Sequence, residues 1–186
     1  MNKLFTNGRE LRVGFMVAGD ALAEGAGEFR QNGADIIELA IPFSDPVAES
    51  PDAAAANLRA LAAGTTVDDA LALAEKTHEK TGLPIALYTY FNPLFRYGAE
   101  RFMERCADCG VSCVTVADLP LEEYGEISAP AERHGIALAM NIATSDTQRA
   151  AKIAQSATGY ARVTAACGAA LPLILEALGD TPYAIV

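Results

Sequence analysis

The chain has 186 residues, 51% of them hydrophobic, with a mean hydropathy of +0.17, which fits a single domain over 1–186 with a sizeable core and argues against disorder. Fourteen basic against twenty-four acidic residues leave a formal charge of −10, and no Lys/Arg cluster offers a footprint for a phosphate backbone, so nucleic-acid binding is disfavoured. No stretch approaches the roughly 20 apolar residues of a membrane span, and Met1–Phe5 lacks the apolar core of a signal peptide, so a cytoplasmic location is expected.

Strands and helices alternate along the whole length without a linker. Leu11–Val17 reads as a strand and Leu22–Gln31 as a short helix. Ala34–Ile41 is a second strand, followed by helices over Ala53–Ala63 and Val67–Lys80 that Gly64 separates. Leu83–Tyr90 is a third strand, Ala99–Cys109 a helix and Ser112–Ala117 a fourth strand. Glu122–His134 is helical and Ile136–Met140 a fifth strand. Ser145 or Asp146 caps a helix running to about Ser156. Tyr160–Thr164 is a sixth strand, Leu171–Leu178 a helix and Pro182–Val186 a seventh strand. The strands are apolar on both faces, as parallel strands covered by helices are.

No Gly-x-Gly-x-x-Gly follows the first strand, which argues against a dinucleotide-binding sheet. Glycines 33, 82, 110, 135 and 159 each precede a strand with even spacing, while Glu38, Tyr90, Asp118 and Asn141 stand toward strand C-terminal ends. In a (β/α)8 barrel that end carries the chemistry. The fold expected is therefore α/β, of (β/α)8 TIM-barrel type, ending after about seven strands.

Cys106-x-x-Cys109-x-x-x-Cys113, with Cys167 distant, could in principle hold a metal. The first two fall in the last turn of a helix and the third in the next strand, so buried small hydrophobes in a reducing compartment are the plainer reading, and no metal is assigned. His78 and His134 fall on helices away from the strand C-terminal ends and receive no role.

The most informative stretch is Gly33-Ala34-Asp35-Ile36-Ile37-Glu38-Leu39-Ala40-Ile41-Pro42-Phe43-Ser44-Asp45-Pro46. Strand alternation puts Ile37, Leu39 and Ile41 on one face and Ile36, Glu38 and Ala40 on the other. A carboxylate on the inner side of a buried strand is costly unless something uses it or pairs it. No basic residue stands near Glu38 in sequence.

That stretch resembles the second strand and following loop of the tryptophan synthase α subunit family. Ala56-Asn57-Leu58-Arg59-Ala60-Leu61-Ala62-Ala63-Gly64, Tyr90-Phe91-Asn92-Pro93 and Val116-Ala117-Asp118-Leu119-Pro120-Leu121-Glu122-Glu123 resemble the same family in the same order, over roughly residues 11–165. The resemblance implies a lyase of tryptophan biosynthesis that cleaves indole-3-glycerol phosphate to indole and glyceraldehyde 3-phosphate. It implies no cofactor in this chain and pyridoxal phosphate in a β-subunit partner.

It also implies roles. Glu38 matches the acid–base carboxyl, which protonates the ring carbon and takes the side-chain hydroxyl proton. Glu49, in Ala48-Glu49-Ser50-Pro51 where the family carries Ala-Asp-Gly-Pro, matches the carboxylate beside the indole N–H. Phe15 and Tyr90 match residues lining the indole pocket, and Asp45 matches a loop residue that couples to the β subunit. Each has a plainer alternative: an ion-paired structural carboxylate for Glu38, a solvated loop residue for Glu49, an aromatic core residue for Phe15 and an Asx turn for Asp45. Asp118 reads equally as a loop cap.

The chain departs from the family pattern where Thr164–Leu173 runs almost directly into a helix, in place of a long mobile loop that closes over substrate. The sequence also stops at Val186, before the eighth strand and the phosphate loop that the family carries. An open barrel exposes the edges of the first and seventh strands, so self-association is expected. An alternative function is therefore a catalytically impaired module that binds or regulates a β subunit. A Schiff-base aldolase ranks last, because Lys3, Lys76, Lys80 and Lys152 all lie away from strand ends.

Overall fold

The computed structural model describes residues 9–20 and 25–186. Seven strands lie among these residues: β1 (Val13–Val17), β2 (Ile36–Ala40), β3 (Ile85–Thr89), β4 (Cys113–Val116), β5 (Ala137–Ile142), β6 (Ala161–Val163) and β7 (Tyr183–Ile185). They form one sheet in the order β1-β2-β3-β4-β5-β6-β7, with every neighbouring pair parallel. The helices between them are α1 (Ala26–Gln31), α2 (Pro51–Ala62), α3 (Val67–Thr81), α4 (Phe91–Tyr97), α5 (Ala99–Asp108), α6 (Gly125–Arg133), α7 (Thr147–Ser156) and α8 (Leu171–Ala177). The start of the helix expected from Leu22 lies outside the described residues, as does Met1–Phe5.

Strand alternation builds two cores. Outward residues such as Ile37, Leu39, Leu87, Val114 and Met140 pack with Leu71, Phe102, Ile127 and Ile174 of the helices. Inward residues form a lower cluster of Ile36, Ala86, Cys113, Ala139, Tyr160 and Ala184, and an upper one of Val17, Ala40, Tyr88 and Tyr90. Between the two clusters the barrel buries polar groups: Glu38, Thr115 and Arg162. The sheet therefore delivers Glu38 to the inner face, as the alternation predicts.

The sheet curls far enough for its ends to meet at one rim. Leu11 N–H donates to the Tyr183 carbonyl at 2.6 Å, and Tyr183 N–H donates to the Arg9 carbonyl at 3.2 Å. Glu10 bridges Tyr183 there, while above this rim β1 pairs with β2 alone. The open edge expected between first and seventh strands is thus confined to the upper part of the barrel.

Local signals set the helix ends. Ser50 accepts the Ala53 N–H and Pro51 opens α2, two residues before the expected start. Thr66 and Asp69 form a capping box for α3, and Gly82 closes it at φ 66°. Helix α4 was not expected, because Tyr90–Pro93 reads as a strand end. Pro93 falls in its first turn, where no backbone N–H is needed, and Asp118 accepts the Phe91 N–H at 2.7 Å. The expected Glu122–His134 helix is a 3₁₀ turn over Leu121–Glu123 followed by α6, and a 3₁₀ segment over Ala165–Ala170 leads from β6 into α8.

Candidate active site

Glu38 sits at the middle of β2 with no exposed surface. The plain alternative for a buried carboxylate was an ion pair, and the fold supplies one from 124 residues away. Arg162 Nε donates to Oε1 at 3.2 Å and to Oε2 at 3.1 Å, and the Tyr160 hydroxyl donates to Oε1 at 2.5 Å. Arg162 projects inward from β6, and Tyr160, in the residue just before that strand, shares its face because the two are two apart. The Arg162 guanidinium lies 4.6 Å from the centroid of the Tyr88 ring, and its Nη1 is 3.5 Å from Asn141 Oδ1.

Burial works against the charge on Arg162, but the charge and hydrogen bond of Glu38 together with Tyr88 and Tyr160 outweigh it and raise its pKa above the ordinary arginine value. Burial, followed by the charge on Glu38, holds the Tyr160 phenol well above its usual range, so it acts as a donor. Sequence reasoning missed Arg162. Its one signal was its spacing in Tyr160-Ala161-Arg162, which puts a cation on the same face as a tyrosine inside an apolar strand.

Glu49 lies in the loop that joins β2 to α2. Asn57 of α2 donates to Glu49 Oε2 at 2.8 Å, and Oε1 is buried without a hydrogen-bond partner. Burial raises the Glu49 pKa, and the Asn57 amide, the Tyr90 hydroxyl and the Arg162 cation offset that rise. Asn57 also organises the loop, accepting the Phe43 N–H at 2.8 Å through its side-chain oxygen.

The other predicted site residues surround this pair. Phe15 is half-buried and meets the Tyr88 ring edge-on at 5.8 Å. Tyr90 is 1% exposed, stacks on Phe43 at 4.8 Å and accepts the Ala48 N–H at 3.0 Å, so it fixes the loop bearing Glu49. Asp45 stands exposed in the same loop, accepting the Ser44 hydroxyl at 2.7 Å. Asp118 caps α4. His78 contacts the Leu83 carbonyl and His134 contacts Glu100, both outside the barrel.

The four buried thiols divide between layers: Cys113 belongs to the lower barrel interior, and Cys106, Cys109 and Cys167 to the helix-side core. No group of three or more His, Cys, Asp or Glu suited to a metal occurs among the described residues.

A cleft of about 740 Å³ opens above the closed rim. Phe15, Glu38, Glu49, Arg162 and Thr164 line it, with apolar walls from Val13, Val47, Ala143, Ala165, Ile185 and Val186. The volume suits a small organic ligand. Apolar walls around two carboxyl groups favour a largely apolar ligand that carries hydrogen-bond donors. Among the described residues no helix is long and apolar enough to cross a membrane.

The family model for the tryptophan synthase alpha chain matches residues 1–170. The tryptophan synthase alpha chain of Geotalea daltonii is 41% identical over 175 residues, 90% of this chain and 66% of that protein. That of Methanosarcina barkeri is 39% identical over 169 residues, covering 86% and 64%. The chain therefore spans about two thirds of the length of these curated relatives. Among solved structures, the tryptophan synthase a2b2 complex of Pyrococcus furiosus aligns at a TM-score of 0.84 and 26% identity, covering 97% of this chain and 78% of that one. Tryptophan synthase from M. tuberculosis aligns at 0.85 and 27% identity, covering 96% and 74%.

Proposed function

Since the chain belongs to the tryptophan synthase alpha chain family, we propose that it cleaves indole-3-glycerol phosphate to indole and glyceraldehyde 3-phosphate. The observation that carries this reading is the placement of Glu38 and Glu49 on one apolar cleft. The reaction needs a proton delivered to the ring carbon and another removed from the side-chain hydroxyl, and two carboxyl groups against one ring supply both. The apolar walls lower the local dielectric and so strengthen each polar contact inside.

The proposal extends to partners and location. The chain works in the cytoplasm with a β subunit that holds pyridoxal phosphate and uses the released indole. The exposed loop around Asp45 is the surface offered to that subunit.

The test is release of indole by the purified chain, with and without β subunit. Wild type is expected to release indole, and Glu38→Gln to lose about 100-fold or more of that rate. Equal rates for the two would overturn the role of Glu38. A second reading, a β-binding module without lyase activity, draws on the short Ala165–Ala170 segment where the family carries a closing loop. Binding to a β subunit without indole release would favour it.

A further inference from the structure

Backbone groups along β1 turn alternately to its two sides. The Arg12 carbonyl accepts the Asp35 N–H at 2.8 Å and Ala18 N–H donates to the Ala40 carbonyl at 2.9 Å, so even-numbered residues face β2. Odd-numbered residues face the other way, as Leu11 does toward Tyr183. Val13 and Phe15 lie above the closed rim, where β1 pairs with β2 alone. Among the described residues, no other strand meets their N–H and C=O groups on that side. A row of unpaired backbone groups is a template for one more strand.

Side chains of such a strand would find room on both faces of the sheet. The cleft of about 740 Å³ lies on the inner face, and a second cavity of about 630 Å³ lies against Met16 and Phe29 on the outer one. Phe15, Ser50 and Ala53 line both, so the two cavities flank the same stretch of β1. The inner walls beside this edge, Val13 and Ile185, are apolar and suit small β-branched side chains.

Charge sets what fits outside. The outer cavity is lined by Asp20, Glu28, Asp52 and Arg59. Asp20 holds Arg59 through two hydrogen bonds of 2.8 and 2.9 Å. Glu28 and Asp52 are exposed and make no ion pair among the described residues. Carboxylates above an apolar floor suit a long basic side chain, whose stem lies on Met16 and Phe29 while its head stays in water. The formal charge of −10 draws a basic segment toward the chain. Size is limited as well. The rim bond from Leu11 to Tyr183 closes the foot of the opening, so its mouth admits a lone strand and keeps out a second sheet with its helices.

We propose that the upper edge of β1 docks an extended strand of another polypeptide, with β-branched residues facing the cleft and Lys or Arg facing outward. Docking makes that strand a wall of the cleft and stands whether or not the chain releases indole.

Amide-resolved hydrogen exchange of the full chain tests this, with an acetylated, amidated peptide alternating Lys and Val over about six residues as the probe. Saturating peptide should slow exchange at Val13 and Phe15 about tenfold or more and leave Gly14 and Met16, already turned to β2, nearly unchanged. N-methylation of the peptide at the residues facing β1 should abolish that protection. The same residues in block order, all Lys then all Val, should bind about tenfold more weakly. Glu28→Gln combined with Asp52→Asn should weaken binding by about tenfold and remove most of its salt dependence. Val13 and Phe15 amides already protected in the free chain would overturn the proposal, since the edge would be covered. Equal binding of the alternating and block peptides would reduce the effect to charge and overturn it too. Protection that rises with the concentration of the chain alone would assign the edge to a second copy instead.

Discussion

The Tyr90 hydroxyl accepts the backbone N–H of Ala48 at 3.0 Å, a bond between the top of β3 and the loop after β2 that fixes where Glu49 enters the cleft. Tyr90→Phe keeps the ring stacked on Phe43 and removes that acceptor. The expected result is a loss of about 1 kcal/mol in stability, read from urea unfolding. Indole release should fall further than that figure alone suggests, because the catalytic loop loses its anchor. Wild-type stability and rate would show that Ala48 finds another partner at no cost.

Burial raises the Glu49 pKa above its ordinary 4.5. The folded chain then holds this proton more tightly than the unfolded chain, so its contribution to stability falls as pH rises through the window above 4.5. Glu49→Gln removes the penalty. Comparing urea midpoints at about pH 4 and about pH 8 should show the balance moving in favour of the Gln variant at the higher pH. A difference that does not change with pH would contradict the raised value.

Gly159 lies directly beneath the site, next to Tyr160. A Cβ at this position would sit 2.8 Å from Cys113 Sγ and 3.2 Å from the Leu138 carbonyl. Gly159→Ala should therefore cost about 1–3 kcal/mol through overpacking. The displaced Tyr160 should also loosen its bond to Glu38 and slow indole release. Cys113→Ala in the same chain removes the nearer clash and should recover part of both losses.

Ser50 caps α2 beside Glu49, its hydroxyl accepting the Ala53 N–H at 3.3 Å. Ser50→Ala should cost about 1 kcal/mol and Ser50→Gly a few tenths, measured by thermal unfolding. Equal losses for both would mean that the cap contributes nothing beyond the backbone.

How far the sequence could be read depended on the range of each interaction. The inward turn of Glu38 follows from the period-two pattern of five residues, and Ser50, Thr66 and Gly82 announce helix ends through local chemistry. The partnership of Glu38 with Arg162 has no local trace, because only the curl of the sheet brings β2 and β6 across the barrel to each other. Helix α4 was hidden for another reason: Pro93 reads as a break, yet it occupies the one turn of a helix that tolerates it. Tyr90 reads as pocket lining, and its structural tie is to a loop 42 residues earlier.

The three tyrosines that fill the barrel, Tyr88, Tyr90 and Tyr160, have an optical consequence. The chain contains no tryptophan and six tyrosines, so half of its ultraviolet emitters point into the barrel. Tyr160, bonded to a carboxylate, is positioned to be quenched, and its emission should brighten when that bond is broken. An indole product would fluoresce against a protein with no indole of its own. A barrel without tryptophan would thus let indole release be followed in a fluorimeter, without label or coupling enzyme.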